Sequence, residues 1–291
     1  MVNILSFDIE EWFTYENLSV DKESEKRLEI YLDLFLELFD EKNITATFFV
    51  LGSIARSHPH VIKKIVSGRH EVACHSDVHM WLTDFSPNQF EEDTKRAISS
   101  IENVTGKKVK SYRAPAFSIT PYNKWAFEIL KQYGIEYDCS IFPAGRDFGG
   151  FDNYEKDVPS IVSYNGVEMK ELPMGIATIL NKKIAYSGGG YFRLLPYRTI
   201  KKIISSRDYN MTYFHLRDFD VQQKRKMNLR YFKNYYGING SMDKFKILIN
   251  DSEFIHCSIY AIIIFEVSQI HLSFLLHIKI PEMKIGHVVI S

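Results

Sequence analysis

Residues 45–52, with the sequence TATFFVLG, decide the fold class. This run of apolar and β-branched side chains, closed by a glycine, predicts a short buried strand. Before it, residues 23–42 place apolar side chains three and four positions apart, which predicts an amphipathic helix. After it, residues 59–67 show a second helical pattern that begins at a proline, a residue suited to a first helical turn. A predicted strand therefore lies between two predicted helices.

The alternation of strand and helix continues on both sides of this centre. Further strands are predicted over residues 4–7, 70–75, 109–113 and 135–140, and further helices over residues 87–105 and 121–133. Such alternation is typical of parallel βαβ units, which form either an open sheet or a β/α barrel. Polar residues follow several of these strands, as they do at the functional face of a barrel. We therefore predict an α/β fold, with an irregular β/α barrel as its architecture.

Two glycine-rich regions interrupt the pattern. Residues 143–170 predict a long loop or a small hairpin inserted over the site. Residues 187–192, with the sequence SGGGYF, predict a second loop, because glycine in a helix interior costs stability. The second region does not have the glycine spacing that binds a nucleotide between a strand and a helix.

The composition is that of a soluble globular protein. Of the 291 residues, 45% are apolar and 25% are charged, which argues against disorder and against a protein with many membrane spans. Lys plus Arg and Asp plus Glu both total 36, so the formal net charge is zero. Because nucleic-acid binding proteins usually carry a basic excess, no nucleic-acid partner is expected. Three cysteines without a CxxC spacing favour a reducing compartment over a disulfide framework.

The two ends of the chain differ in character. The first apolar run reaches the acidic residues Asp8 and Glu10 too early for a secretory signal, so we expect a cytoplasmic protein. Residues 256–291 contain only four charged side chains and form an atypical apolar tail of unknown role. The tail could be one or two buried strands, a segment that contacts a membrane interface, or a product of a shifted reading frame. We place the main domain at residues 1–255.

Four polar residues could form a metal site with a neighbouring base. His75 and His79 are four positions apart, and one helical turn would bring both imidazoles to the same face. Asp8 and Glu10 are two positions apart where a predicted strand ends, so they could share one side of it. One carboxylate could bind a metal while the other accepts a proton. Taken singly, these residues could equally be a surface histidine pair and an acidic loop.

Three more candidates follow later strands. Arg113 could keep a carboxylate base ionised through its positive charge, although it could equally be a plain loop start. Asp138 belongs to the run Asp138-Cys139-Ser140 that ends the next predicted strand, residues 135–140. His215 ends the apolar run 211–214, and histidine is the usual general acid at neutral pH, although a lone histidine is more often a solvated or core residue.

In this order, the motifs resemble the NodB-type polysaccharide deacetylases, carbohydrate esterase family 4. The motifs are Ser6-Phe7-Asp8-x-Glu10, His75-Ser76-x-x-His79, Arg113-x-Pro115, Asp138-x-Ser140 and a late aromatic residue before His215. The stretches 112–118, 188–193 and 213–220 are most similar to the branch found with O-antigen and exopolysaccharide gene clusters. The resemblance covers roughly residues 3–255 and implies the distorted β/α barrel of that family.

The resemblance also implies a role for each candidate. Asp8 matches the catalytic base, and Arg113 would orient it and pair with its charge. His75 and His79 match the metal ligands, and Glu10 would supply the metal carboxylate, since Ile9 occupies the position where the family usually has a second acid.

His215 would be the general acid, and Asp138 would tune it. The implied cofactor is a divalent metal, with zinc expected; cobalt, nickel and iron suit the same ligands.

We therefore expect a metal-dependent N-deacetylase that acts on an N-acetylated sugar of a surface polysaccharide or its precursor. One alternative is hydrolysis of another amide, as in an allantoinase-like enzyme or a deformylase. Another is a barrel that binds carbohydrate without turnover. Membrane contact through residues 256–291 is also an open interpretation, and the sequence predicts no oligomeric state.

Overall fold

The computed structural model describes residues 2–10, 22–146, 149–152, 154, 157–223, 225, 234–266 and 285–290. Its strands are β1 (Val2–Ile4), β2 (Ser6–Ile9), β3 (Thr47–Val50), β4 (Glu71–Cys74), β5 (Ser111–Tyr112), β6 (Tyr137–Asp138), β7 (Ser160–Tyr164), β8 (Val167–Glu171), β9 (Ala177–Ile179), β10 (Lys182–Ile184), β11 (Phe214–His215), β12 (Glu253–Ile255) and β13 (Gly286–Val289). Its helices are α1 (Lys22–Glu41), α2 (Gly52–Ser57), α3 (Pro59–Ser67), α4 (Pro87–Thr105), α5 (Ala126–Gln132), α6 (Gly189–Leu194), α7 (Tyr197–Ser205), α8 (Ser241–Asp251) and α9 (Cys257–Ala261).

In the described part of the chain, nine strands form the main sheet, in the order β11-β2-β3-β4-β5-β6-β8-β7-β13. The first seven strands of this order pair in parallel, and β7 runs antiparallel to β8 as a hairpin. The α/β class predicted from the sequence is confirmed. Among the described residues the sheet remains open between β11 and β13, so the architecture is a mixed sheet compatible with a distorted barrel rather than a closed one.

Local sequence signals set the helix boundaries. Helix α4 starts where the Ser86 hydroxyl accepts a hydrogen bond from the Gln89 backbone N–H and the Ser86 backbone N–H donates one to the Gln89 side-chain oxygen. It ends at Gly106, whose φ of 66° is a left-handed value that favours glycine. The bounds of α3 and α4 agree with those predicted from the sequence.

Aromatic side chains fill the space between β2 and the helices. The rings of Phe7 and Phe35 lie 4.9 Å apart, and those of Phe7 and Phe48 lie 5.5 Å apart. Phe214 on the neighbouring strand packs edge-on against Phe245 of α8. Phe7 of β2, the strand that delivers the acidic residues, is therefore packed among aromatic side chains of α1 and β3.

The prediction of a loop over residues 187–192 is wrong, because helix α6 begins at Gly189. The structure gives a different reason for a glycine here. A Cβ on Gly188 would collide with the backbone oxygen of Tyr213, so glycine lets this segment pass close to β11. The predicted insert before it ends in the β7–β8 hairpin.

The C-terminal tail has two parts in the described structure. Cys257, Tyr260 and Ala261 of α9 are buried, and a π-helical turn at Ile262–Glu266 continues this helix. The apolar run 259–265 is therefore helical rather than a strand. Strand β13 pairs in parallel with β7. In the part of the chain that the structure describes, no helix is both long and apolar enough to cross a membrane.

Candidate active site

The predicted acidic residues meet at the carboxyl ends of adjacent parallel strands. In register, Asp8 of β2 lies beside His215 of β11 on one side and beside Phe49 of β3 on the other. Glu10 follows β2 directly. These side chains therefore lie at the edge of the sheet where its parallel strands end, the position at which barrels of this kind carry functional residues.

Glu10, His75 and His79 lie together as a candidate metal centre. One ligand atom from each lies within 4.8 Å of the others. The Glu10 Oε2 atom is 3.7 Å from His75 Nε2 and directly contacts His79 Nε2. His75 Nδ1 donates to the backbone oxygen of Arg113 at 2.8 Å, which leaves Nε2 as the nitrogen that can bind a metal. Two imidazoles and one carboxylate are a ligand set that suits zinc.

The histidine pair converges through a loop rather than a helical turn. Ser76 and His79 have left-handed φ values of 73° and 61°. The buried Asp77 side chain anchors the loop, since it accepts hydrogen bonds from Arg56 at 2.5 and 2.9 Å. The Asp77 backbone N–H donates to the Asp93 carboxylate at 3.0 Å. The geometry of the pair thus depends on contacts that a helical spacing does not require.

Asp8 is held by a buried arginine. Arg113 is fully buried, and its Nη1 donates to Asp8 Oδ1 at 2.6 Å while its Nη2 donates to Ser6 at 2.9 Å. Burial opposes the charge of the guanidinium, but the Asp8 carboxylate outweighs it and raises the pKa of Arg113. The other oxygen of Asp8 lies 4.0 Å from the Nε2 atoms of both His75 and His215. This oxygen faces the space between the histidines.

His215 points its Nε2 into the same space. That nitrogen lies 3.2 Å from Glu10 Oε1, which also accepts a hydrogen bond from Arg217 at 2.9 Å. Burial lowers the pKa of His215, but the Glu10 charge and the Asp218 hydrogen bond raise it to about 9. Burial raises the pKa of Glu10, but the charges of His79, His215 and Arg217 prevail and hold it well below its ordinary value. The residues form one electrostatically coupled group.

The carboxylate that bonds His215 is Asp218, three residues further along the chain, at 3.1 Å from Nδ1. Asp138 accepts hydrogen bonds from the Ser140 hydroxyl and backbone at 2.7 and 3.1 Å, and the same hydroxyl accepts one from the Ala114 backbone. Burial raises the pKa of Asp138. Sequence reasoning missed Asp218, whose only signal was its spacing from His215.

Family models match two consecutive parts of the chain. Residues 17–137 match the Polysaccharide deacetylase family, and residues 139–261 match a Domain of unknown function (DUF3473). The first match contains His75, His79 and Arg113, and the second contains His215. Asp8 and Glu10 precede both matches.

Curated relatives resemble part of the chain. A peptidoglycan deacetylase of Helicobacter pylori is 27% identical over 113 residues, which are 39% of this chain and 38% of the relative. A chitooligosaccharide deacetylase of Rhizobium leguminosarum bv. phaseoli is 31% identical over 100 residues, which are 33% of this chain and 40% of the relative. The aligned regions thus span less than half the length of these relatives.

Solved structures share the fold over most of the chain. A Mycobacterium smegmatis protein assigned to the polysaccharide deacetylases superposes with a TM-score of 0.61 at 19% identity, covering 89% of this chain and 88% of that chain. Puue allantoinase superposes with a TM-score of 0.58 at 14% identity, covering 92% of each chain. At these identities the likeness concerns the fold alone. The match over residues 17–137 and the curated relatives make this part of the chain similar to polysaccharide deacetylases, and the solved structures extend the likeness in fold over most of the chain.

Proposed function

We propose that the protein is a metal-dependent hydrolase that removes an N-acetyl group from an amino sugar of a surface polysaccharide or its precursor. The observation that carries this proposal is the placement of Glu10, His75 and His79 beside an Arg113-held Asp8 and the Nε2 of His215. The deacetylases among the relatives support the substrate class. The link to O-antigen synthesis, the cytoplasmic location and a membrane contact of the tail stay predictions.

Glu10, His75 and His79 would hold the metal, for which zinc is our proposal. The donor set fits, because the ligand atoms are close together, the three side chains are nearly buried, and the tautomer of His75 is fixed by its bond to Arg113. When bound there, zinc would serve as a Lewis acid, which polarises a carbonyl oxygen and lowers the pKa of water. Arg217 would orient the Glu10 carboxylate through its bond to Oε1.

Two side chains would move the protons of the reaction. Asp8 Oδ1 is occupied by Arg113, so Oδ2 is the atom that would accept a proton from the attacking water. His215 Nε2, on the opposite side of the space, would donate a proton to the nitrogen of the sugar as it leaves. An amine leaves readily only when it is protonated, so removing His215 should lower kcat. Asp138 would act at a distance, through Ser140 and the segment that carries Arg113.

The test combines metal analysis with product formation. The wild type, reconstituted with zinc, is expected to hold about one metal per chain and to release acetate from short N-acetylglucosamine oligomers. His79→Ala should lose both the metal and acetate release. His60→Ala is the matched control, since His60 is an exposed histidine on α3 whose ring bonds Glu29.

Each failure has its own meaning. A wild type that binds zinc but releases no acetate from N-acetylated sugars contradicts the deacetylase and leads to assays of ring amides and formyl amides. A wild type that binds sugar but no metal contradicts the hydrolase and favours a barrel that binds carbohydrate without turnover. Acetate release by His79→Ala at the wild-type rate contradicts the proposed metal centre.

A further inference from the structure

Arg193 ends the glycine-rich segment 188–193 and lies almost completely buried, with 3% of its side chain exposed. Its Nη1 forms an ion pair with Asp218 Oδ1. Its Nε donates to the Tyr236 backbone oxygen at 3.2 Å, and its Nη2 donates to that of Asn234 at 3.0 Å. A buried arginine with all three nitrogens engaged has a fixed position, because moving it would leave buried polar groups unpaired.

Asp218 connects this arginine to His215. While Oδ1 pairs with Arg193, Oδ2 accepts hydrogen bonds from the backbone N–H of His215 at 2.9 Å and from its Nδ1 at 3.1 Å. A carboxylate only accepts hydrogen bonds, so Nδ1 carries the proton in this contact. Both oxygens of Asp218 are therefore used, and the imidazole is held at its backbone and at its ring.

The backbone around Arg193 is also fixed. The Lys244 ammonium of α8 donates to the backbone oxygens of Phe192, Arg193 and Leu195 at 2.9 to 3.0 Å. These oxygens lie at the C-terminal end of α6, where helix carbonyls lack partners within the helix. Gly237 approaches so closely that a Cβ there would lie 2.9 Å from the Arg193 oxygen. The arginine therefore sits on a support that is itself rigid.

We propose that Arg193 and Asp218 act as positioning residues that hold His215 with its Nε2 directed at Glu10 and Asp8. The inference rests on the proposed function, in which His215 donates the proton to the leaving nitrogen. It assigns a purpose to the segment 188–193, which the metal centre does not use. It also moves the support of His215 from Asp138 to Asp218, which lies three residues after the histidine in the 3₁₀ turn that follows β11.

The physical reason is geometric. An imidazole ring attached to its backbone by two single bonds can rotate, and a proton donor works only when its nitrogen faces the acceptor. The bond from Nδ1 to Asp218 removes that rotation, and Arg193 keeps Asp218 from turning away. General acid catalysis contributes about 100- to 10,000-fold, so loss of the orientation should cost a large part of that factor.

The experiment compares Asp218→Asn, Arg193→Lys and Asp138→Asn in zinc-loaded protein. Asp218→Asn is expected to lower kcat about 100-fold or more, with KM and zinc content close to the wild type. Arg193→Lys keeps the charge but loses the planar fork, so an intermediate kcat is expected. Asp138→Asn is expected to lower kcat less than Asp218→Asn does, because Asp138 bonds Ser140 whereas Asp218 bonds His215 directly. An Asp218→Asn variant with wild-type kcat overturns the proposal, whatever the kcat of Asp138→Asn.

A second readout does not depend on turnover. In metal-free protein, proton NMR should show the Nδ1 proton of His215 far downfield, and this signal should move or vanish in Asp218→Asn and in Arg193→Met. If the wild type shows no deacetylase activity, the proposed function fails, and this signal still tests the positioning residues. A signal that is unchanged in both variants overturns the inference, even where activity is intact. Should Asp218→Asn not fold, Arg193→Lys and Arg193→Met carry both tests.

Discussion

Arg113 is a cation without solvent contact, and the carboxylate of Asp8 compensates its buried charge. Its guanidinium lies 4.0 Å from the centre of the Phe49 ring and donates to Asp8 at 2.6 Å. Removing one partner of a buried ion pair leaves an uncompensated charge, which costs about 3 to 5 kcal/mol. We therefore expect Arg113→Met to lower the free energy of unfolding by that amount, measured by urea denaturation.

The pair is best measured as a double-mutant cycle. Because Asp8→Asn removes the charge that Arg113→Met leaves behind, the double variant should lose less stability than the sum of the two single variants. Lys108→Met is the matched control, since Lys108 pairs with Glu102 while its side chain is 84% exposed. Exposed pairs contribute at most about 1 kcal/mol. If the stability loss of the double variant equals the sum of the losses of Asp8→Asn and Arg113→Met, the two charges do not stabilise each other.

At the scale of elements, helix α2 and the loop that carries the histidine pair are joined at Gly52. A Cβ on Gly52 would collide with the Asp77 carboxylate and lie 2.6 Å from the Cα of Ala97 in α4. Overpacking of this kind costs about 1 to 3 kcal/mol. We expect Gly52→Ala to lower the melting temperature and also to weaken zinc binding, because Asp77 anchors the loop between His75 and His79.

Gly240 provides the control for this change, because nothing lies within 4 Å of the position that its Cβ would take. Calorimetric melting and zinc titration of Gly52→Ala and Gly240→Ala would separate crowding from a general effect of alanine. Equal zinc affinity in the two variants would show that the loop does not depend on this contact.

The tail is held against the sheet by a buried carboxylate at the opposite end of the strands. Glu71 accepts hydrogen bonds from Thr47, Ser111 and Ser258, and His256 lies 3.4 Å from it. Burial raises the pKa of Glu71, but the bonds from His256, Ser111 and Ser258 prevail and lower it to about 2. The carboxylate therefore binds α9 to the start of β4.

This shift predicts how stability changes with pH. The pKa of Glu71 is lower in the folded chain than its usual value of about 4.3, so its contribution is complete above pH 4.3 and disappears as the pH falls towards 2. The contribution is of the order of 3 kcal/mol. Glu71→Gln should lose it at pH 7 and differ little from the wild type at pH 2. In Glu71→Gln, the backbone amides of residues 257–261, which form α9, should exchange their hydrogens faster than in the wild type. Equal stability of the two proteins at pH 7 would contradict the role of Glu71.

At the scale of the whole molecule, local sequence patterns predict the helices and strands, whereas contacts between residues distant in sequence determine the geometry of the candidate site. The apolar period of α1 and the start of α4 at Pro87 are properties of adjacent residues, so they could be predicted. The choice of Asp218 over Asp138 as the partner of His215 depends on how the loop after β11 turns back, which no local pattern states. The helical form of residues 259–265 likewise follows from packing, because an apolar run alone fits a strand or a buried helix.

The division of the chain at residue 255 stays a prediction that concerns the whole molecule. Beyond it, Cys257 donates its backbone N–H to Thr47 at 2.7 Å, the Tyr260 ring lies 5.6 Å from that of Tyr209, and β13 extends the main sheet. Burying one large apolar side chain contributes about 1.5 to 3 kcal/mol, so losing several should cost several kcal/mol.

We therefore expect a chain that ends at residue 255 to melt about 10 °C or more below the full chain, since 1 kcal/mol corresponds to about 2 to 4 °C at this size. A chain that ends at residue 284 is the matched control, because it loses only the segment with β13. It should lose less stability than the shorter chain, in proportion to the smaller buried area removed. If the chain of 255 residues melts within about 2 °C of the full chain, residues 1–255 are a self-sufficient domain and the contacts of α9 add little to stability.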